Sequence, residues 1–287
     1  MKDPITQPSY IITSALVVAF GHHLAHEEKC PGTVEKYLRD VRALAHYLHG
    51  QPVTKEQAVA WRDGLLAHGY APATINSMTA AINQFFCFTG WTDCRIKALR
   101  IQRRLFRQPQ REMTKDDYLR LVSCARANGQ ERLALVMETI CATGIRVSEI
   151  KYITLEAVQA GQAEICLKGK LRTILLPSKL CRKLKQYAKK QKTAFGEIFL
   201  TKSGKSLSRR QIWAEMKRLC RQADVIASKV FPHNLRHLFA RTFYHICRDI
   251  VKLADVLGHA SIETTRIYLI STGAEHAKVL QKLGFVQ

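Results

Sequence analysis

Apolar positions from Ile11 through Leu24 form a stripe that reads as a first helix, followed by a turn at Pro31-Gly32. Thr33 is placed to cap the next helix. There Val34, Tyr37, Leu38, Val41, Leu44, Ala45 and Leu48 recur at helical spacing, while Glu35, Lys36, Arg39 and Arg42 take the other face. Thr54 with Gln57 three residues on has the form of a capping box, in which hydroxyl and side-chain amide each satisfy a free backbone N–H; it opens a third helix running to about Leu66. A fourth follows Pro72, with Ile75, Met78, Ile82, Phe85 and Phe86 on its stripe and Gly90 at its end.

The pattern then lapses. From Arg95 to Arg111 there are seven basic residues and no acidic one (Arg95, Lys97, Arg100, Arg103, Arg104, Arg107 and Arg111), which reads as a linker crossing a polyanion or as a solvated tether. Beyond Pro109 and a cap at Thr114, helices are expected at residues 115–126 and 131–141, with a break at Thr143-Gly144 and a short helix carrying Arg146 and Glu149. Two β-prone runs, 163–167 and 173–176, flank Lys168-Gly169-Lys170 as a hairpin, and helices return from Ser178. The expected fold is therefore mainly α. A helical N-terminal domain spans 1–105, a basic linker 106–112, and a larger α+β catalytic domain with a small β-sheet 113–287, closing on a helix at about 274–283.

Composition sharpens this picture. At 47% hydrophobic, 287 residues can bury cores for two domains. Nine cysteines, an odd count with no C-x-x-C pair, point to reduced and mostly buried thiols, and away from a disulfide framework or cysteine-rich zinc module. The apolar stretch at 11–20 is too short for a membrane span and runs at once into Gly21, His22 and His23; it also lacks a basic region beyond Lys2 and a small-residue cleavage site, so a cytoplasmic protein is expected. The charge is more informative. Lys and Arg number 45 against 23 acidic residues, for a net +22, and residues 106–287 hold 33 basic and 15 acidic side chains. A polyanion should bind chiefly to that second part.

Three motifs there carry candidate chemistry. Ala142-Thr143-Gly144-Ile145-Arg146-Val147-Ser148-Glu149 presents an arginine from a glycine turn, suited either to phosphate oxygens or to a surface pair with Glu149. On a helix begun by Phe231-Pro232, His233, Arg236 and His237 share a face by i+3 and i+4 spacing. In Leu257-Gly258-His259, Gly258 ends one helix and Ser261 can cap another, leaving His259 in the turn and Tyr268 late on the following helix, where a tyrosine is otherwise a core residue. His233 and His237 lack the glutamate and third ligand of a zinc site, and His22, His26 and Cys30 read as an exposed helical face, so no metal or other cofactor is expected.

Together these motifs resemble the tyrosine recombinases, or phage-integrase family. The A-T-G-x-R-x-S-E box at 142–149, the H-x-L-R-H box at 233–237, and L-G-H followed nine residues later by Tyr268 match in order and approximate spacing. Lys168-Gly169 falls in the hairpin where the family places a catalytic lysine. That hairpin reads as one residue longer than the common form, which makes Lys170 the alternative, and Leu269-Ile270 replace the usual Thr-His. The resemblance covers most of the chain and is to the compact Xer-like members, without an extra arm-binding domain.

The resemblance implies a site-specific recombinase that cleaves and rejoins DNA through a 3′-phosphotyrosyl link, for integration, excision, inversion or resolution of a mobile element. Arg146 and Arg236 would neutralise the phosphate, His233 and His259 would add donors, Lys168 would protonate the leaving 5′-oxygen, and Tyr268 would attack. Partners would be double-stranded DNA and further copies of the chain, a dimer per site and a tetramer in synapsis, with the C-terminal helix docking on a neighbour. Rival readings are a type IB topoisomerase, which needs larger clamp domains, a non-catalytic DNA-binding regulator, which has no use for Tyr268, and a metal nuclease, which needs a carboxylate cluster.

Overall fold

The computed structural model describes residues 10–101, 111–167, 170–259, 261–268 and 281–282. The chain divides into two compact units, Met1–Arg103 and Arg104–Gln287. Lys168, the middle of the basic linker and most of the expected C-terminal helix at 274–283 lie outside the described residues; Gln281 and Lys282 are helical.

The first unit holds α1 (Ser14–His26), α2 (Pro31–Leu48), α3 (Lys55–Ala67) and α4 (Pro72–Thr89). Their apolar stripes meet in a core of Phe20, Leu24, Val41, Leu44, Trp61, Ile82, Phe85 and Phe86, with Phe20 and Phe85 edge-to-face at 5.3 Å. Thr54 and Gln57 make the expected capping box, and Gly90 closes α4 in the left-handed conformation. The cap assigned to Thr33 is corrected: α2 begins three residues earlier, with Cys30 as N-cap and Pro31 at the first helical position, where a fixed φ and a missing N–H cost nothing. The onset of the basic run is held down by two asparagines of α4. Asn83 exchanges hydrogen bonds with both backbone groups of Ile96 (2.8 and 3.0 Å), and Asn76 does the same with Leu99 (2.7 and 2.9 Å). Arg95, Lys97 and Arg100 are left exposed.

In the second unit, α5 (Lys115–Ala127) and α6 (Glu131–Thr143) lead into a 3-10 turn (Val147–Tyr152) and the short α7 (Leu155–Ala160). An antiparallel hairpin of β1 (Gln162–Leu167) and β2 (Lys170–Leu175) follows, paired from Gln162–Leu175 to Leu167–Lys170. Then come α8 (Ser178–Lys190), α9 (Arg209–Leu219), α10 (Pro232–Cys247), α11 (Ile250–Leu257) and α12 (Ile262–Arg266). Buried side chains surround α6 (Leu133, Leu135, Val136, Met137 and Ile140), as suits a helix packed by α5, α8, α9 and α10. All nine cysteines are reduced thiols, but only Cys94, Cys181 and Cys220 are buried, so the expectation of mostly buried thiols is corrected. Cys87 and Cys166 point outward because each sits on the polar face of an amphipathic element.

Candidate active site

Helix α6 ends at Gly144, whose φ of 67° and ψ of 14° are left-handed, and a Cβ there would overlap the ring of Phe239. The chain therefore turns sharply and delivers Arg146 as the N-cap of the 3-10 turn. Its Nη1 donates to Glu149 Oε1 at 2.9 Å and its backbone N–H to Oε2 at 2.8 Å, so the surface-pair reading describes the contact correctly. Glu149, however, is only 1% exposed, whereas Arg146 is 40% exposed and faces a cavity of about 460 Å³. A buried carboxylate thus orients a partly free guanidinium.

Arg236 comes from the first turns of α10, directly over the end of α6. It is 1% exposed. Nη1 donates to the Gly144 carbonyl at 2.5 Å, and Nη2 to the Leu257 carbonyl at 2.8 Å and to His259 Nε2 at 2.9 Å, while Nε is buried without a partner. Its acidity reflects two opposing effects: burial lowers the pKa from its ordinary value, and the neighbouring Tyr268 hydroxyl acts the other way. Among the described residues, Arg146, Arg236 and His233 line the same cavity, with Arg209, Arg210 and Trp213 of α9 on its rim.

Helix α11 closes on Gly258 in the left-handed conformation, and Ser261 caps α12 through its hydroxyl, as expected. Tyr268 lies two residues beyond the end of α12 and not within it; its N–H donates to the Thr265 carbonyl three residues back, the tight turn in which short helices unwind. The phenol is 4% exposed and ringed by histidines. His237 is centred 4.4 Å away, His233 5.9 Å, and His259 stacks on it at 5.6 Å with ring planes 10° apart. His259 Nδ1 pairs with Thr265 Oγ1 at 2.8 Å, so its orientation is fixed from both sides.

Desolvation and the surrounding cations keep these imidazoles neutral. Burial, followed by Arg236, Arg146 and Arg172, pushes His259 down to about 4; burial and then His233 and Arg241 push His237 down to about 3; His233 is lowered by desolvation and then by Arg236 and Arg146. Neutral imidazoles can accept a proton or donate one hydrogen bond, which suits handling the phenolic proton.

Of the six residues singled out from sequence as catalytic, Arg146, His233, Arg236, His259 and Tyr268 come together, and Lys168 lies outside the described residues. Two contributors went unassigned. His237 packs closest to the phenol, and its signal was the shared face with His233 and Arg236. Arg172 donates to Glu149 Oε2 at 2.5 Å and to the Leu257 carbonyl; its signal is an arginine on the inward side of a strand. Among the described residues no group of three or more His, Cys, Asp or Glu side chains is arranged to hold a metal ion.

Residues 111–275 match the model of the phage integrase family, and residues 17–92 that of the phage integrase N-terminal SAM-like domain. The chain belongs to the phage integrase family. It is accordingly a tyrosine recombinase, of the enzyme class that cleaves and rejoins DNA strands in site-specific recombination. The tyrosine recombinase XerA of Pyrococcus furiosus is 28% identical over 277 residues, covering 93% of this chain and 93% of that protein. Solved integrases share the fold. A lambda integrase tetramer bound to a Holliday junction superposes with a TM-score of 0.74 at 18% identity, covering 93% of this chain and 81% of that one. A lambda integrase dimer bound to a core site gives 0.71 at 17% identity, covering 90% of this chain and 77% of that one. Among the described residues no helix is long and apolar enough to cross a membrane.

Proposed function

We propose that this integrase-family chain binds double-stranded DNA sites and that Tyr268 is its nucleophile, with Arg146 and Arg236 as the phosphate clamp, His233 and His259 as further donors, and a hairpin lysine, Lys168 in preference to Lys170, as the general acid. The observation that carries this reading is convergence. Two arginines 90 positions apart in sequence line one cavity, and one of them adjoins the phenol.

A phosphodiester resists attack because its oxygens are anionic and gain charge in the five-coordinate transition state. Guanidinium groups fixed by Glu149, the Gly144 carbonyl and the Leu257 carbonyl are preorganised to take up that charge. As the Tyr268 oxygen gives its proton to a surrounding neutral imidazole and bonds to phosphorus, the bond to the 5′-oxygen breaks, and a proton from lysine makes that oxygen a competent leaving group. The phosphotyrosyl ester conserves the energy of the broken bond, so reversal by a second DNA end needs no nucleotide cofactor. Dimers on each site and tetramers in synapsis follow by analogy with the two lambda integrase complexes, with the segment 274–283 as the docking element. A substrate of chromosomal or element DNA fits a protein that acts in the cytoplasm, on the nucleoid.

The test is incubation of the full chain with nicked candidate-site duplexes, scored for a covalent protein–DNA adduct. Adduct from the wild-type chain and none from Tyr268→Phe supports the reading. An adduct formed equally by the variant, or only with added Mg²⁺, overturns it.

A further inference from the structure

Alternation along the hairpin puts Ala163, Ile165 and Ile174 on the buried side. Arg172 pairs with Ile165 across the ladder and so points inward as well, an expensive direction for a charge unless its donors are met. They are met by two motifs far away in sequence. Nη2 donates to Glu149 Oε2 at 2.5 Å, and Nη1 to the Leu257 carbonyl, which also accepts from Arg236. Gly258 makes room for this reach, since a Cβ there would stand 2.5 Å from Arg172 Cδ and Nη1. One side chain thus fastens β2 to the carboxylate that orients Arg146 and to the peptide that anchors Arg236.

That strand begins at Lys170 and continues the chain from Lys168-Gly169. We propose that Arg172 is a positioning residue for acid catalysis: by pinning β2 to Glu149 and Leu257 it sets the register of the hairpin lysine against the scissile phosphate. This rests on the reading of Tyr268 as nucleophile and a hairpin lysine as proton donor. Arg172 itself moves no proton. The lysine ammonium gives its proton to the 5′-oxygen as the P–O5′ bond pair collapses onto that oxygen, while the Tyr268–phosphorus bond forms and the phenolic proton passes to one of the surrounding neutral imidazoles.

The leaving group provides a specific test. A sulfur in place of the bridging 5′-oxygen departs as a thiolate, which needs no proton, because a thiol is far more acidic than an alcohol. A methylphosphonate at the scissile phosphate, with a methyl group in place of a non-bridging oxygen, instead removes the negative charge and with it the need for a cation on the phosphate. Single-turnover adduct formation is measured for the full chain on nicked duplexes carrying the ordinary linkage, the sulfur linkage or the methylphosphonate.

Arg172→Ala is expected to slow adduct formation on ordinary DNA by about 10²-fold, the scale of a lost proton donor, and to return within a few-fold of wild type on the sulfur linkage. Of Lys168→Ala and Lys170→Ala, the one rescued by sulfur identifies the acid, and combining it with Arg172→Ala should slow ordinary DNA no further than either change alone. Arg172→Lys, which keeps the charge but cannot fork between two acceptors, should show the same rescue, and it decides the matter should Arg172→Ala fail to fold. Failure of sulfur to rescue the Arg172 variants, rescue of neither lysine variant, additive losses in the double variant, or rescue of the Arg172 variants by methylphosphonate would each overturn the inference. Tyr268→Phe run alongside separates the two claims: adduct from that variant sinks the nucleophile assignment, whereas its absence together with unrescued Arg172 variants sinks only the positioning role.

Discussion

Glu149 is buried between two guanidinium groups, and both of its oxygens are engaged. Removing it leaves Arg172 enclosed with an unmatched charge, so Glu149→Ala should cost about 3 kcal/mol, the lower end for breaking a buried pair because Arg146 retains solvent. Urea unfolding of the variant measures this. At Gly258, a φ of 62° makes any side chain costly, and Gly258→Ala should lose about 1 kcal/mol from backbone strain alone. It should also slow DNA cleavage by displacing Arg172, in single-turnover assays on ordinary DNA. For the histidines the sign follows from direction. His259 titrates at about 4 in the folded chain against 6.5 ordinarily, so the unfolded chain binds the proton more readily between those values. Stability from this source is complete above about pH 6.5 and is lost as pH falls toward 4; thermal melts of His259→Asn should show a shallower acid decline than wild type. Arg146, Arg236 and Tyr268 were legible because each sits in a short motif whose parts explain one another. Arg172 was not, because a basic residue beside Lys168-Gly169-Lys170 looks like hairpin charge until strand register shows which way it points.

Helix boundaries were most legible where a local interaction sets them. The Thr54 capping box, the cap at Thr114 and the helix-ending glycines at 90, 144 and 258 lie where the sequence placed them, because a cap depends on residues three or four apart. Thr54→Ala should therefore cost about 1 kcal/mol, read as a lowered thermal midpoint. Thr33 misled because two starting signals compete there, and a proline at the first turn prevails over a hydroxyl two residues on. The clip of Ile96 and Leu99 by Asn83 and Asn76 could not be read at all, since it joins α4 to a stretch with no periodicity. Tyr268 falls beyond α12 for a similar reason: a five-residue helix is too short to extend to it, and its place is fixed by the packing of three imidazoles.

Across the whole molecule, charge divides unevenly, and the part from residue 106 onward carries 33 of the 45 basic side chains. Affinity for duplex DNA should fall steeply with salt, and losing a phosphate-contacting cation should reduce the slope of log K against log salt by about 0.9. Replacing Arg209 and Arg210, exposed on the cavity rim, by alanine should flatten that slope in fluorescence anisotropy titrations. The Leu257 carbonyl has a different kind of importance. A peptide oxygen has two lone pairs, and here both are taken by guanidinium groups that arrive from a strand and from a helix. It has no spare capacity to compensate one when the other shifts. The last peptide of α11 therefore works as a shared latch, and displacing it loosens both cations in the same motion.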